Sequence, residues 1–354
     1  MPHRVRRRPS RMRVVAALAV VAASVTGCAP ATGQAHETVA LLLPDVQTAR
    51  YETFDRPVFE ERIAEHGDIR VLYANADQDA AKQQQQAESA LTSGAGVLVL
   101  DPVDADAAVA IVAAANAKGV PVISYDRLVA GGDLAYHVSF DNEEVGELQA
   151  TALVAGMAEA GVGTGVLMVN GSPTDRNAED FRRGARRILD EHGVEVLAEY
   201  RTPEWSPEKA QDWVAGQIAQ HRGRIAGVYA ANDATAGGAV AALKAAGVDP
   251  FPIVTGQDAE LAALQRIVAG DQYMTVYKAI RPQAQLAADV AVALLRGEEV
   301  RAPMTVGGVP TTLLEPVAVT IDDIMTTVVA DGFWHVEDIC TPRLEQACAA
   351  AGIG

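Results

Sequence analysis

A motif that occurs twice in the chain decides the fold. Its first copy, residues 96–126, is GVLVLDPVDADAAVAIVAAANAKGVPVISYD. Its second copy, residues 227–258, is GVYAANDATAGGAVAALKAAGVDPFPIVTGQD. Each copy contains an apolar run, an acid, an alanine-rich stretch, a glycine, a second apolar run and a final acid. This order is typical of a strand, a helix and a second, parallel strand, so the two copies predict two similar α/β lobes.

Further apolar runs of strand length extend this pattern on both sides of the repeat. They lie at residues 39–43, 69–73, 165–169 and 194–197. Short apolar runs that alternate with helical segments are typical of parallel sheets buried on both faces. We therefore predict an α/β fold with two similar lobes, each a parallel sheet flanked by helices. Helices are expected over residues 80–91 and 105–118, with the glutamine tetrad 83–86 on a solvated helix face.

Polar residues follow the predicted strands at their carboxyl ends, the edge at which open parallel sheets bind ligands. These residues are Asp101, Asp126, Arg127, Asn232, Asp233 and Asp258. Two such edges that face each other would form a polar cleft between the lobes. Asp and Asn at these positions also cap helices, and this interpretation stays open, above all for Asp101 and Asp233. For Asp126, Arg127 and Asp258 we favour a binding role, because a buried acid beside arginine suits bidentate recognition of hydroxyl groups.

The N-terminal region has the composition of an export signal. Residues 4–13 hold six arginines and no acid, and residues 14–25 form an apolar run. A bilayer-spanning helix needs about 20 apolar residues, so this run has the length of a signal-peptide core instead. It leads into Gly27-Cys28, which resembles a bacterial lipoprotein signal, in which the cysteine is lipidated and becomes the new N-terminus. We expect lipidation of Cys28, with a plain secretory signal as the alternative.

Removal of this leader would leave a strongly acidic chain. The whole chain has 29 basic and 46 acidic residues, and subtracting the six arginines of the leader leaves 23 against 46, a net charge of −23. A surface of this sign repels phosphate backbones, so we expect no nucleic-acid partner.

Two further cysteines, Cys340 and Cys348, lie near the C-terminus. An even pair outside the cytoplasm predicts a disulfide, with two free thiols as the alternative. Only His335 lies near them and no Cys-x-x-Cys spacing occurs, so we expect no metal there.

Six blocks of the chain closely resemble the D-xylose-binding proteins of ABC uptake systems. The blocks are DRL (126–128), SFDNEEVGELQA (139–150), GSPTDRNA (171–178), ANDATAGGA (231–239), GQDA (256–259) and MTVYK (274–278). The resemblance covers about residues 38 to 333 and implies the type I periplasmic-binding-protein fold with a hinge. It also implies a receptor that binds a monosaccharide, above all D-xylose, and delivers it to an ABC permease. Glucose, arabinose or ribose as the ligand, and a receptor role for chemotaxis or a sensor kinase, are the alternatives.

The resemblance also implies which residues contact the sugar. Carried over block by block, these are Asp126, Arg127, Asn177, Trp205, Asn232, Asp258 and Lys278. Arg50 and Tyr51 occupy the place of an Arg–aromatic pair, with the spacing shifted by about one residue. Charged and amide groups satisfy sugar hydroxyls, and an aromatic ring covers the apolar face of the sugar. The structural alternatives are scaffold packing for Trp205, core positions for Tyr51 and Phe181, and a solvated side chain for Lys278.

Motifs of enzymes are absent from the sequence. The glycine-rich segment 160–165 precedes a predicted strand instead of following one, and neither GxSxG nor HExxH occurs. A glycosidase pair of carboxylates is disfavoured, because Asp126 and Asp258 have arginine and lysine nearby, which keeps both ionised. A repressor of this fold would need a basic helix-turn-helix where the leader lies. We therefore expect a monomeric binding protein with no enzymatic activity and no cofactor.

These observations predict how the chain is divided. The expected parts are the signal peptide 1–28, a tether 29–37, a first lobe 38–139 plus 279–307, a second lobe 140–278 plus 308–333, and a C-terminal tail 334–354 that contains the disulfide. The chain would cross between the lobes near residues 138–141, 276–281 and 305–318. Rotation about these crossings would close the lobes around the sugar, which excludes water and strengthens polar contacts.

Overall fold

A computed structural model describes residues 37–354, so the predicted signal peptide, Cys28 and nearly all of the tether lie outside the described residues. The strands are β1 (Glu37–Leu43), β2 (Ile69–Asn75), β3 (Val97–Leu100), β4 (Val122–Tyr125), β5 (Tyr136–Phe140), β6 (Gly165–Asn170), β7 (Glu195–Arg201), β8 (Ile225–Ala230), β9 (Ile253–Thr255), β10 (Thr275–Tyr277), β11 (Met304–Val306), β12 (Val309–Leu314) and β13 (Val317–Val319).

Helices connect most of these strands. The α-helices are α1 (Arg56–Glu65), α2 (Ala80–Thr92), α3 (Val109–Asn116), α4 (Asn142–Glu159), α5 (Arg176–Glu191), α6 (Pro207–Gln220), α7 (Asp233–Ala245), α8 (Leu261–Ala269), α9 (Ile280–Leu295), α10 (Val336–Ile339) and α11 (Glu345–Ala350). Single turns of π-helix occur at Tyr51–Asp55 and Met325–Val329, and a 3₁₀ turn occurs at Pro203–Trp205. None of the helices in residues 37–354 combines the length and apolar character needed to cross a bilayer.

The first lobe is built on a seven-stranded sheet in the order β11-β12-β5-β4-β3-β1-β2. All neighbours in it are parallel except β11 and β12. β3, β4 and β5 are buried along their whole length, as expected for apolar strands covered by helices on both faces. One hydrophobic cluster packs this sheet against α1 and α9, and a second packs it against α2 and α3.

The second lobe contains a four-stranded parallel sheet in the order β7-β6-β8-β9, with hydrophobic clusters on both faces. Beside it, β10 and β13 form an antiparallel pair. The two copies of the repeated motif form β3-α3-β4 in the first lobe and β8-α7-β9 in the second. The strands of each copy pair in parallel, which confirms the predicted pair of similar lobes.

The chain passes between the lobes after β5, after β10 and between β12 and β13. These places lie within the segments 138–141, 276–281 and 305–318, and the boundary expected between residues 307 and 308 falls before β12. β12 pairs in parallel with β5 and therefore belongs to the first lobe up to Leu314. Its sequence, VPTTLL, has two threonines and a proline among six residues, so it lacks the apolar run by which the other strands were identified.

Two local expectations need correction. The helix expected over 105–118 begins only at Val109, because the Asp104 carboxylate accepts hydrogen bonds from the next backbone amides and holds a turn there. Gln83 of the glutamine tetrad is buried instead of solvated. Its amide donates to the Asp101 carbonyl at 2.7 Å and accepts from the Val103 amide at 2.9 Å, so it fixes the loop that follows β3.

The C-terminal tail packs on the second lobe. Cys340 and Cys348 form the expected disulfide, which ties α10 to α11. Ile339, Cys348 and Ile353 are buried in a hydrophobic cluster with residues of α8. The tail is therefore an ordered part of the lobe.

Candidate functional site

One cavity between the lobes brings together all nine residues that we expected to contact a sugar. Its lining residues are Thr48, Arg50, Tyr51, Asp126, Arg127, Asp175, Asn177, Phe181, Trp205, Asn232, Gln257, Asp258 and Lys278. Every one of them follows the carboxyl end of a strand or belongs to the helix after it, as the topology of open parallel sheets requires.

The two lobes contribute different segments to the cavity. In the first lobe, Thr48, Arg50 and Tyr51 follow β1, and Asp126 and Arg127 follow β4. In the second lobe, the lining residues follow five strands. They are Asp175, Asn177 and Phe181 after β6, Trp205 in the 3₁₀ turn after β7, Asn232 after β8, Gln257 and Asp258 after β9, and Lys278 after β10. Closing the lobes is therefore necessary to complete the cavity.

Asp126 and Asp258, the final acids of the two motif copies, share an unusual backbone conformation. Their φ angles are 56° and 101°, in the left-handed region that is unfavourable for residues other than glycine. Each such residue costs on the order of 1–3 kcal/mol and persists where the surrounding structure imposes it, most often at functional sites. The strain therefore supports a functional role for both acids, independently of the repeat.

Arg127 is the centre of a buried cluster of charges. Its Nε lies 2.8 Å from Asp175 Oδ2, across the cleft, and 3.5 Å from Asp101 Oδ1. Its Nη2 lies 3.4 Å from Asp45 Oδ2 and donates to the Tyr51 hydroxyl at 3.2 Å. Burial raises the pKa of all three carboxyls, and the Arg127 charge opposes that rise. Asp101 thus supports Arg127 and is not a helix cap.

Arg50 organises the other side of the first lobe. It donates to both carboxylate oxygens of Asp55, at 2.7 and 3.0 Å, and to Gln283 Oε1 at 2.8 Å. Its Nη1 lies 3.4 Å from Asp126 Oδ1. Burial by itself raises the pKa of Asp126, but the nearby charges, first Arg50 and then Lys278, bring that pKa well below its usual range. Asp126 is therefore an ionised hydrogen-bond acceptor at any physiological pH.

Lys278 is buried and not a solvated lysine. Its ammonium lies 2.9 Å from Asp258 Oδ1, and each of the two side chains is only 3% exposed. The ammonium also lies 5.7 Å from the ring centroid of Phe140 and 5.8 Å from that of Phe181. The Lys278 ammonium is therefore held between a carboxylate and two aromatic rings.

Trp205 both packs on the second lobe and faces the cavity. Its indole N–H donates to Asp175 Oδ2 at 3.1 Å, and its ring meets that of Phe181 edge to face, with the centroids 6.4 Å apart. A Cβ added at Gly171 would lie 2.0 Å from the indole ring, so only glycine leaves room for Trp205 here. The two interpretations of Trp205 are therefore compatible.

Helix N-termini of the second lobe carry polar lining residues. Asn232 caps α7, where its side chain accepts from the Thr235 amide at 2.9 Å, and it also lines the cavity. The side-chain amide of Asn177 donates to the backbone carbonyl of Asp126 at 3.3 Å, across the cleft. Capping and cleft position coincide at Asn232, because the carboxyl end of a strand is also the start of the next helix.

Asp233, by contrast, points away from the cavity. It accepts hydrogen bonds from Gln272 at 2.8 Å, Thr275 at 2.8 Å and the Glu260 amide at 3.0 Å. Burial raises its pKa to about 7. Its contacts give it a structural role within the second lobe, but the cap of α7 is Asn232 and not Asp233.

Sequence reasoning did not select four of the lining residues as contacts. They are Thr48, Asp175, Phe181 and Gln257. Asp175 lies within the block 171–178. It precedes the first turn of α5 and is the N-cap of that helix. Gln257 precedes Asp258, and only Asp258 matched the repeated motif, so the sequence pattern did not identify Gln257. Thr48 lies in an irregular loop that has no motif.

The charges in the cavity are balanced. Arg50, Arg127 and Lys278 face Asp126, Asp175 and Asp258, three cations against three carboxylates, so the lining has no net charge. Three polar atoms of the lining, Arg50 Nη1, Gln257 Oε1 and Asp258 Oδ1, are buried without a hydrogen-bond partner among the described residues. Two of them, Arg50 Nη1 and Asp258 Oδ1, lie in ion pairs. An arrangement of paired charges and free hydrogen-bonding atoms suits a small neutral ligand that both donates and accepts.

Comparisons with known proteins agree with this geometry. The family model described as periplasmic binding protein domain matches residues 39–299. The D-xylose-binding periplasmic protein of Haemophilus influenzae is 35% identical over 93% of this chain and 99% of its own length. The protein of the same name from Escherichia coli is 36% identical over 83% of this chain and 90% of its own length. An ABC transporter solute-binding protein from Clostridium phytofermentans, solved with β-D-glucose, superposes with a TM-score of 0.79 at 27% identity, covering 86% of this chain and all of that one.

Proposed function

The chain belongs to the periplasmic binding protein family, as an extracytoplasmic sugar receptor and not an enzyme, and we propose that its ligand is a neutral aldopyranose, first of all D-xylose. The sugar would occupy the cavity between the lobes and be handed to an ABC permease. The observation that carries this proposal is the balanced charge of the cavity. A sugar acid or an amino sugar would bring into the cavity a charge that no lining residue balances. An unpaired buried charge costs several kcal/mol.

The chemistry of the lining supports a single sugar ring. Trp205 and Phe181 offer apolar surface to the C–H faces of a pyranose, while the paired charges of both lobes offer acceptors and donors to its hydroxyls. The two relatives named for D-xylose binding, at 35% and 36% identity, favour D-xylose over a hexose.

Direct contacts between the lobes support ligand-driven closure. The Arg127–Asp175 ion pair and the hydrogen bond from Asn177 to Asp126 join the lobes inside the cavity. At the rim, the Ala105 amide donates to the Thr174 carbonyl at 3.1 Å. We propose that the lobes rotate about the three crossings and form these contacts when the sugar is bound. The closed form would then be the one that the permease recognises.

The position of the receptor in the cell is also part of the proposal. Lipidation of Cys28 would hold a monomeric receptor at the outer face of the cell membrane, close to the permease. Intact mass of the protein from membrane fractions measures this. We expect a chain that starts at Cys28 and carries acyl mass, and a chain that starts elsewhere without acyl mass would contradict the anchor.

Titration calorimetry of the protein without its leader tests the ligand. We expect one-to-one binding of D-xylose, weaker binding of D-glucose, L-arabinose and D-ribose, and at least about tenfold weaker binding of glucuronate and glucosamine, because each adds one uncompensated charge. A matched control is Asp271→Ala, which removes a carboxylate from a surface pair with Lys244 and leaves the cavity intact. Absence of binding to every neutral sugar, or preference for a charged one, would overturn the proposal.

A further inference from the structure

The two lobes also meet outside the sugar cavity, through an aromatic cluster formed by Phe54, Phe333 and Trp334. The rings of Phe54 and Phe333 are stacked, with centroids 3.9 Å apart and planes inclined by 17°. Trp334 meets Phe54 edge to face at 5.2 Å. Phe54 belongs to the first lobe, in the same helical turn as the cavity residue Tyr51, and the other two rings begin the tail on the second lobe. The stack therefore joins the two lobes in the closed form that the structure describes.

Contacts with the second lobe hold Phe333, Trp334 and the tail that follows them in place. Phe333 also meets the Tyr277 ring at 5.1 Å, one residue before the cavity residue Lys278. Further along, the Gln265 side chain of α8 donates to the Asp338 carbonyl at 2.9 Å, and the disulfide closes the segment that follows. Phe333 and Trp334 thus move with the second lobe, while Phe54 moves with the first.

Trp334 also holds a backbone group next to the sugar cavity. Its indole N–H donates to the Ala259 carbonyl at 2.9 Å, and the Thr275 hydroxyl accepts from the Ala259 amide at 3.1 Å. Ala259 has a φ of 49° and follows Asp258, whose φ is 101°. Two successive left-handed residues persist only where their surroundings hold them. Trp334 is one of the groups that hold this turn, and the turn sets the direction of the Asp258 carboxylate.

We propose that Phe333 and Trp334 are positioning residues for sugar binding. Both rings pack against Phe54 when the cleft closes, and Trp334 also holds the Asp258–Ala259 turn in its binding geometry. This inference rests on the proposed function, since it needs a ligand that closes the cleft. The tail, which has no contact with the cavity, then acts on the lifetime of the closed complex. Its effect appears in the dissociation rate, because the stack forms only after the sugar has entered the open cleft.

Stopped-flow measurements of sugar association and dissociation test this with variants of the stack. For Phe54→Ala we expect the D-xylose dissociation rate to rise about 3- to 30-fold, since an aromatic pair and its buried surface are lost from the closed form only. The association rate should stay within about twofold, and the melting temperature of the sugar-free protein should not change. Phe54→Tyr keeps the ring and should dissociate at the unmodified rate.

Trp334→Phe separates the two roles of the tryptophan. It keeps an aromatic ring but loses the donor to Ala259, and we expect the dissociation rate to rise about 2- to 10-fold. The matched control is Tyr200→Ala, which breaks the stack of Tyr200 on Trp213, with centroids 5.3 Å apart, within the second lobe. It should lower the melting temperature of the sugar-free protein and leave the dissociation rate unchanged.

The outcomes distinguish this inference from the proposed function. An unchanged dissociation rate in Phe54→Ala, with tight sugar binding by the unmodified protein, would overturn the role of the stack alone. A lower melting temperature of sugar-free Phe54→Ala with an unchanged dissociation rate would assign the stack to folding and also overturn it. Failure of the unmodified protein to bind any neutral sugar would overturn both proposals.

Discussion

Arg127 and Asp258 line the same cavity, but their contacts differ. Those of Arg127 indicate a structural role, whereas those of Asp258 leave it available to the sugar. Arg127 faces Asp45, Asp101 and Tyr51 within its own lobe, and Asp175 across the cleft. Asp258 pairs with one cation, Lys278. Loss of Arg127 would leave several buried carboxylates without their cation even in the open form, whereas loss of Asp258 leaves one lysine beside the cleft. Arg127 therefore has a structural role in addition to any contact with sugar.

This difference predicts unequal effects of two alanine substitutions. Asp258→Ala should lower sugar affinity about 10- to 100-fold, because a hydroxyl and a lysine lose their partner. It should lower the melting temperature of the sugar-free protein by only a few degrees. Arg127→Ala should lower affinity and also lower that melting temperature by on the order of 10 °C, because breaking buried ion pairs costs about 3–5 kcal/mol. Calorimetric titration and thermal scanning measure both quantities, and equal melting temperatures of the two variants would contradict the distinction.

Glu260 and Asp233 form a buried acidic pair behind the cavity. Burial, and then the charges of Asp233 and Asp258, raise the pKa of Glu260 to about 8, and burial raises that of Asp233 to about 7. A carboxyl whose pKa is raised on folding binds its proton more tightly in the folded state. The stabilisation from that proton is complete below the unfolded pKa of about 4.5, and it is lost as the pH rises through the folded pKa.

We therefore predict that the free energy of unfolding falls between about pH 5 and pH 9 with sugar present to keep the cleft closed. The free energy of unfolding of Glu260→Gln should fall less steeply over this range. One of the two titrating carboxyls is then absent, and only Asp233 still titrates. Urea denaturation of both proteins at pH 5, 7 and 9 measures the slopes. Identical slopes would show that Glu260 does not titrate in this window.

At the residue scale, the sequence was informative where chemistry and position coincide. Asp126 and Asp258 end matching strands of a repeat, so the repeat alone places their side chains at the same edge of two sheets. Lys278 could not be placed in this way, because its burial depends on Phe140 and Phe181, which come from distant segments. The resemblance to a family supplied that residue.

At the scale of elements, strands with continuous apolar runs were predictable and the others were not. β1, β3 and β4 are buried on both faces and are marked by runs of Val, Leu and Ile. β11 is the edge strand, and β12 beside it pairs with β5 only from Thr311 onward. Pro310 therefore has a strand neighbour on one side only, where proline is tolerated, and no apolar pattern marks either strand. The contact of Phe54 with the tail was equally hidden, because packing in three dimensions decides it.

The tail depends on its disulfide more than a longer helical segment would. α10 and α11 are short, and isolated helices of this length are unstable without external support. Replacing both Cys340 and Cys348 with serine should reduce the free energy of unfolding by about 2–3 kcal/mol in the chain-entropy model. Chemical denaturation with and without reductant measures this. A stability that responds neither to the substitutions nor to reductant would contradict a stabilising role of the disulfide.

At the scale of the whole molecule, the contacts divide into those within a lobe and those that need both lobes. Each lobe has its own hydrophobic clusters on both faces of its sheet, so neither needs the other for its core. Apart from the aromatic cluster of Phe54, Phe333 and Trp334, the contacts between lobes described above are polar: the Arg127–Asp175 pair, the bond from Asn177 to Asp126, and the rim contact of Ala105 with Thr174. Polar contacts exchange readily with water, so without a ligand they favour closure only weakly.

Two lobes with separate cores, joined by a few polar contacts and one aromatic cluster, predict a large change of shape on binding. The sugar-free protein should populate an open form, and saturating D-xylose should reduce the radius of gyration toward the value of about 20 Å expected for a compact chain of this length. Small-angle X-ray scattering measures this directly. Asp258→Ala at the same sugar concentration is the control for unspecific effects of the sugar and should close only at higher concentrations, in proportion to its weaker affinity. An equal radius with and without saturating sugar would mean that the lobes are already closed in the free protein. The aromatic cluster of Phe54, Phe333 and Trp334 would then contribute to the stability of the free protein instead of to the lifetime of the complex.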